Sequence, residues 1–231
     1  MIYKKFLCVI LFTTLSCGVE SEQVSEQVET SLCAPQEAEL STVSDLVFFL
    51  NSLDKPLSLN CAVGSLPNNF GLSATESKIS VQPAHDRFQS RIFLVFDESL
   101  YLSIVPGENL LEIGEVYSET LTIKAEINFP LEDEATVAMP FRNVSDELIG
   151  RKKCGAVCHD ESVEVDSFGG VSVYASTTIR PNPSELISLD EMKSLFDQNC
   201  LESSSPCDSY EAVFKHDDIH SFDFPEHLPF F

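Results

Sequence analysis

A strict alternation of apolar and polar residues over positions 119–129 constrains the fold of this chain more than any other feature. The apolar positions are Leu121, Ile123, Ala125, Ile127 and Phe129, and the polar positions between them are Thr122, Lys124, Glu126 and Asn128. Successive side chains of a β-strand point to opposite faces of a sheet, so this period of two predicts an antiparallel strand with one buried face. A strand of this kind needs neighbours, and the chain must build a sheet around it.

Three further segments, 91–96, 100–105 and 110–117, have the composition of strands, and turn residues such as Pro106-Gly107 separate them. Several short strands at this spacing are typical of an antiparallel β-sandwich or a small barrel. We therefore expect a mainly β fold, with a β-rich domain over residues 41–142.

Helical patterns flank these strands. Apolar residues recur at helical spacing in residues 42–53, where we expect Ser44 to cap the helix and Pro56 to end it. Residues 143–231 are expected to form a smaller, α-rich, cysteine-bearing C-terminal region. This region contains a short helix over 146–153, a strand over 171–179, a helix that Ser188 and Glu191 begin as a capping box, and a last helix from Ser205 to about His216. The aromatic, proline-broken tail 222–231 is expected to lie extended on the core.

The N-terminus has the pattern of an export signal. Lys4 and Lys5 precede an uncharged apolar run over residues 6–15. A transmembrane helix needs roughly 20 apolar residues, so this shorter run fits the core of a signal peptide, expected over residues 1–16. Residues 14–17, TLSC, resemble the lipobox of bacterial lipoproteins, although Thr14 stands where the motif prefers an aliphatic residue.

The lipobox resemblance implies that Cys17 receives a lipid and anchors the protein to a membrane of the cell envelope. Gly18 follows, and the absence of Asp there favours the outer membrane of a Gram-negative bacterium. Ordinary cleavage near Ser16, without a lipid, is the alternative. Residues 20–29 repeat the tetrapeptide SEQV, and a stretch this polar and acidic predicts a flexible tether, expected over residues 17–40.

The charge of the chain excludes one class of partner. Removal of residues 1–16 takes away two of the 14 basic residues and none of the 37 acidic residues, which leaves 12 − 37 = −25. A field of this sign repels phosphate backbones, so nucleic acid is not an expected partner.

The cysteine count also suggests export. Besides Cys8 in the signal and Cys17 at the lipid, the chain has Cys33, Cys61, Cys154, Cys158, Cys200 and Cys207. An even set in an exported protein predicts disulfides. Closeness in sequence favours the pairs Cys33–Cys61 and Cys200–Cys207, which leaves Cys154 and Cys158 together.

The segment CGAVCH, residues 154–159, resembles the haem-attachment motif of c-type cytochromes with one extra residue between the cysteines. The resemblance implies thioether bonds from Cys154 and Cys158 to haem c, with His159 as an iron ligand. Soluble cytochromes supply a methionine, often before a proline, downstream of the histidine. Here the only Met-Pro, Met139-Pro140, lies upstream and Met192 is expected inside a helix, so His216 or His220 is the expected sixth ligand. Met192 and His227 are weaker candidates. A Cys154–Cys158 disulfide, a reactive dithiol and a metal site are the alternatives.

Two functions follow from these alternatives. With haem, the protein transfers electrons or senses redox state and has a redox partner protein. Without haem, it is a non-enzymatic structural or binding lipoprotein. The sequence contains no P-loop and no nucleophile elbow, so enzymatic activity is the less favoured hypothesis.

Overall fold

One open sheet dominates the computed structural model, which describes residues 33–80, 82–145 and 162–230. The described residues contribute nine strands: β1 (Phe70–Thr75), β2 (Arg91–Phe96), β3 (Leu100–Ile104), β4 (Leu110–Val116), β5 (Leu121–Asn128), β6 (Val163–Phe168), β7 (Val171–Thr177), β8 (Leu186–Ile187) and β9 (Ile219–Ser221). Their order is β6-β7-β5-β4-β3-β2-β1-β8, and β9 also pairs with β1. All of the pairings are antiparallel except β1 with β9.

The mainly β, antiparallel fold expected from the sequence is confirmed, and the four strands predicted between residues 91 and 129 are β2 to β5. The sheet also runs across the expected boundary at residue 142. Strand β7 pairs with β5, while β8 and β9 pair with β1. The C-terminal region therefore adds strands at both ends of the sheet.

Five α-helices occur in the described residues: α1 (Val43–Ser52), α2 (Leu59–Ser65), α3 (Met139–Ser145), α4 (Leu189–Asn199) and α5 (Ser205–Phe214). A short 3-10 helix, Pro183–Glu185, precedes β8. Within the described ranges, every helix is too short or too polar to cross a bilayer.

The N-terminus of α1 differs from the prediction in one residue. Thr42, and not Ser44, is the capping residue. The Thr42 hydroxyl accepts from the Asp45 amide at 3.1 Å, and the Asp45 carboxylate accepts from the Thr42 amide at 3.0 Å. This reciprocal pair satisfies two free amides, which a cap at Ser44 does not offer. Ser188 caps α4 as predicted, with its hydroxyl 3.3 Å from the Glu191 amide.

The apolar face of the sheet forms the core. Side chains that are in register across β1 to β5 are all buried there: Leu72, Leu94, Leu102, Ile113 and Ala125. Helix α1 packs against β4, α3 against β5 and β7, and α4 against β1. The burial of this face by helices explains why the apolar positions of residues 119–129 point inward.

Two disulfides join elements of the fold, in the pairs expected from the sequence. Cys33 is bonded to Cys61 in α2, and Cys200, at the end of α4, is bonded to Cys207 in α5. Residues 33–40, expected in the tether, lie on the folded unit. The Gln36 amide donates to the Ser65 carbonyl at 3.1 Å, and Leu40 is buried.

Candidate functional site

The residues with the strongest sequence motifs lie outside the described residues. These are the lipobox cysteine, Cys17, the haem-motif residues, Cys154, Cys158 and His159, and the expected helix over 146–153. Their lipidation, haem attachment or disulfide bonding remain predictions.

His216 and His220, the expected sixth ligands, lie in different surroundings. The His216 ring is buried, packs edge-on against Phe70 with centroids 5.0 Å apart, and places Nε2 3.1 Å from the Val63 carbonyl. Burial lowers the pKa of His216, and the neighbouring charge of Lys215 lowers it further. His220 is exposed on β9, opposite Gly71 of β1.

The fit of these histidines to a haem iron differs accordingly. An iron bound to Nε2 of His216 would have to replace the contact with Val63, whereas His220 is accessible. The part of the chain that the structure describes contains no group of three or more His, Cys, Asp or Glu residues that could hold a metal ion.

The other face of the sheet carries a row of polar side chains. Strand register aligns Ser73, Phe93, Ser103, Glu112 and Glu126 across β1 to β5. The next row contains Gly71, Val95, Tyr101, Gly114 and Lys124. Two carboxylates thus stand directly opposite each other on β4 and β5, an arrangement that costs free energy unless cations lie nearby.

Arg91 of β2 supplies one such cation. Its guanidinium forms an ion pair with the Glu112 carboxylate, and both side chains are mostly buried, with 19% and 14% of their surface exposed. The guanidinium also donates to the Ser103 hydroxyl at 3.1 and 2.8 Å and to the Ser80 hydroxyl. It lies 4.9 Å from the centre of the Phe93 ring. Arg91 is therefore fixed and orients Glu112.

Two segments of the chain cross over this polar face. We call residues 178–182 the crossing segment, because they lead from β7 on one side of the sheet towards β8 on the other. We call residues 222–230 the C-terminal strap. In the strap, Phe222 lies against Gly71, and Phe224 packs on Phe93 and Tyr101 at centroid distances of 5.2 and 6.2 Å.

Arg180 of the crossing segment holds the strap in place. Its guanidinium donates to the carbonyls of Leu228 at 3.0 Å and Glu226 at 3.2 Å, and its backbone amide donates to the Pro229 carbonyl at 2.9 Å. The guanidinium also lies 5.0 Å from the centre of the Phe230 ring. The two segments therefore form one cover over the sheet.

A cleft of about 180 Å³ lies between the sheet and this cover. Its floor includes Arg91, Ser103, Glu112, Gly114, Thr122 and Lys124, and its walls include Tyr101, Arg180, Phe224 and Leu228. The Lys124 ammonium donates to the Thr122 hydroxyl. Burial, with a smaller effect of the Glu98 charge, raises the pKa of Tyr101 above its ordinary value.

The sequence pattern missed this site because it placed the polar side of β5 in solvent. Thr122 and Glu126 are instead 3% and 5% exposed. The cover buries these residues, and nothing in the local alternation indicates that distant residues 178–182 and 222–230 cross there. The aromatic composition of the tail was the available signal, since Phe222 and Phe224 provide the contacts.

The geometry permits binding of a small polar molecule. Ligand sites are concave, partly apolar and equipped with a few fixed polar groups, and this cleft combines an aromatic wall with oriented charges and hydroxyls. Comparison with protein-family models, with curated proteins and with solved structures gave no significant match.

Proposed function

We propose that this chain is an exported, lipid-anchored protein of the cell envelope that binds a small polar ligand in the cleft of its sheet. The lipobox-like TLSC and the acidic stretch after it support the anchor. The two disulfides support export, because such bonds persist in oxidising compartments. The protein acts as a binding module and not as an enzyme.

The observation that carries the binding function is the buried charge on the floor of the cleft. Charged side chains removed from water cost several kcal/mol each unless they are paired, and apolar residues in their place often stabilise a fold equally well. Glu112 is oriented by Arg91, which also holds Ser103. An arrangement that fixes a carboxylate beside an open cavity favours recognition of a ligand over packing alone.

A thermal-unfolding screen of the mature protein tests this function. The screen uses neutral sugars, amino acids, amines and small anions. A ligand at a concentration of about 100 times its Kd raises the free energy of unfolding by about 2.7 kcal/mol. For a chain of this size, the midpoint of thermal unfolding then rises by about 5–10 °C. We expect at least one of these classes of compound to raise the unfolding midpoint.

The matched variants are Glu112→Gln in the cleft and Glu211→Gln on the exposed side of α5. The ligand-induced shift should shrink in Glu112→Gln and persist in Glu211→Gln. No shift with any class, or equal shifts in both variants, would contradict binding in the cleft.

Haem c is a second candidate because of the CGAVCH motif at 154–159. Cys154, Cys158 and His159 would hold it, and a bound haem would supply one-electron chemistry. The test is an absorption spectrum of protein expressed with a cytochrome maturation system. Covalent haem absorption that disappears in Cys154→Ala supports the haem; a colourless protein in which mass spectrometry finds a Cys154–Cys158 disulfide supports the binding lipoprotein alone.

A further inference from the structure

We propose that the cleft binds a neutral, polyhydroxylated ligand the size of one monosaccharide ring. This inference rests on the binding function proposed above and specifies the chemical class of the ligand. Size, charge and the chemistry of the lining residues support it separately.

The volume of the cleft, about 180 Å³, suits a small ligand such as a single ring. Sites for drug-sized molecules are larger, about 300–1,000 Å³. The cleft itself therefore accommodates one sugar ring, and a neighbouring cavity of about 300 Å³ shares Tyr101, Thr178 and Leu228 with it.

The charge of the floor disfavours ionic ligands. On the floor, two cations, Arg91 and Lys124, balance two carboxylates, Glu112 and Glu126, and Arg180 in the cover adds one positive charge to the lining. The Arg91 guanidinium is already engaged by Glu112, Ser80 and Ser103. Arg180, in the cover, donates to carbonyls of the strap. Both guanidiniums among the described lining residues thus donate hydrogen bonds within the protein, and the acidic excess of the chain, 37 acidic against 14 basic residues, repels an anion.

A cationic amine meets the opposite difficulty, because the ammonium of Lys124 and the guanidinium of Arg91 line the same floor. A neutral ligand avoids both conflicts. It can accept hydrogen bonds from cations and donate to carboxylates without burying a net charge.

The lining also matches hydroxyl groups. Ser103, Thr122 and Thr178 line the cleft, and each hydroxyl both donates and accepts, as sugar hydroxyls do. The rings of Tyr101 and Phe224 stack on each other, with centroids 6.2 Å apart and an interplanar angle of 18°, and this aromatic pair forms an apolar wall of the cleft. A sugar ring has an apolar C–H face that can lie on such a wall while its hydroxyls reach the floor.

A free monosaccharide and the terminal sugar of an envelope glycan share this chemistry. Calorimetric titration of the mature protein distinguishes them with two arms, one of neutral hexoses, pentoses and N-acetylhexosamines and one of their methyl glycosides, which mimic the glycan linkage. Binding of the free sugars alone indicates a free ligand. Equal or tighter binding of the glycosides indicates a glycan end. Both results support the inference.

Two pairs of variants locate the ligand. Phe224→Ala removes part of the wall, and Phe48→Ala is its control because Phe48 is 65% exposed on α1, outside the cleft. Thr122→Val removes a floor hydroxyl with little change in shape, and Thr120→Val, at an exposed site, is its control. We expect each cleft variant to weaken sugar binding at least tenfold and each control to bind like the wild type.

The outcomes of these titrations distinguish a failure of the sugar inference from a failure of the proposed binding function. If an amino acid, an amine or inorganic phosphate binds and no sugar does, and cleft variants weaken that binding, the sugar inference is wrong and the binding function stands. If sugars bind equally to wild type, Phe224→Ala and Thr122→Val, the site lies elsewhere and the inference is overturned. If no class binds, both proposals fail.

Discussion

Single residues on the polar face show how the fold tolerates buried charge. Glu112 stands opposite Glu126 across β4 and β5, and Arg91 reaches over from β2 to pair with Glu112. Sequence alone gives the strand positions of these residues but not the pairing, because Arg91 and Glu112 belong to strands separated by β3. The pairing depends on sheet register, which non-local contacts determine.

His216 gives a pH-dependent prediction at the same scale. Burial lowers its pKa from the ordinary value of 6.5, and the Lys215 charge adds to this effect, while the Val63 carbonyl and the Asp217 charge oppose it. Below pH 6.5 the unfolded chain therefore binds a proton that the folded protein excludes. The His216 contribution to stability is complete above that pH and is lost as the pH falls below it.

The measurement is urea unfolding between pH 7.5 and 5.0 for wild type, His216→Gln and His220→Gln. Wild type and the exposed-site control, His220→Gln, should lose stability over this range more steeply than His216→Gln. Three parallel pH profiles would show that His216 does not titrate as its burial requires.

At the scale of elements, the C-terminal strap depends on one of two glycines that share a row of the sheet. A Cβ on Gly71 would lie 2.8 Å from Cβ of Phe222, whereas a Cβ on Gly114 would meet only Cβ of Tyr101 at 3.7 Å. The first distance forces the strap backbone to move, and the second is an ordinary contact. Gly71 is thus required for close approach of the strap.

Gly71→Ala should therefore destabilise the protein by about 1–3 kcal/mol, the usual cost of overpacking a well-packed contact. Gly114→Ala should be neutral or slightly stabilising, since alanine restricts the unfolded chain. Limited proteolysis of the tail and chemical unfolding measure the two effects. Equal stability and equal tail cleavage in both variants would mean that the strap does not lie on β1.

Strands that belong to a local alternating pattern could be predicted from the sequence, and strands that depend on distant partners could not. β2 to β5 succeed one another through short turns, and their period of two is clear. β8 has two residues and β9 has three, so neither carries a readable period, and each exists because β1 offers it an edge. Helix α3 was not predicted; its Pro140 stands in the first helical turn, where proline is tolerated.

The candidate site was predictable only in part for the same reason. The polar residues of β5 were identified, but their burial was not. The residues that cover them are distant in the chain: Thr178, whose hydroxyl donates to that of Thr122, lies 56 positions away. His216 was identified as a candidate iron ligand, yet its ring packs in the core beside Phe70.

At the scale of the whole molecule, the proposed attachment to the envelope depends on one residue. Cys17→Ala should release the mature protein into the soluble fraction, because the lipid is the only anchor that the sequence predicts. Fractionation of cells after a salt wash measures this, with Cys8→Ala in the signal as the control that keeps the anchor. A Cys17→Ala protein that stays in the membrane fraction would refute lipid anchoring.

The proposed binding function is tested most directly by a substitution that fills the cleft from its floor. Gly114 lines the cleft. Its φ is not positive, so the backbone of β4 at this position can carry a β-branched residue without strain. Gly114→Val places two methyl groups in the ligand space without removing any charged group of the floor.

The decisive measurement is calorimetric titration of Gly114→Val with the best ligand of the wild type, beside its thermal unfolding. We expect binding to fall at least tenfold while the unfolding midpoint stays within about 4 °C, the shift that about 1 kcal/mol produces. A folded Gly114→Val protein that binds the ligand as tightly as the wild type would contradict a binding site between the sheet and its cover.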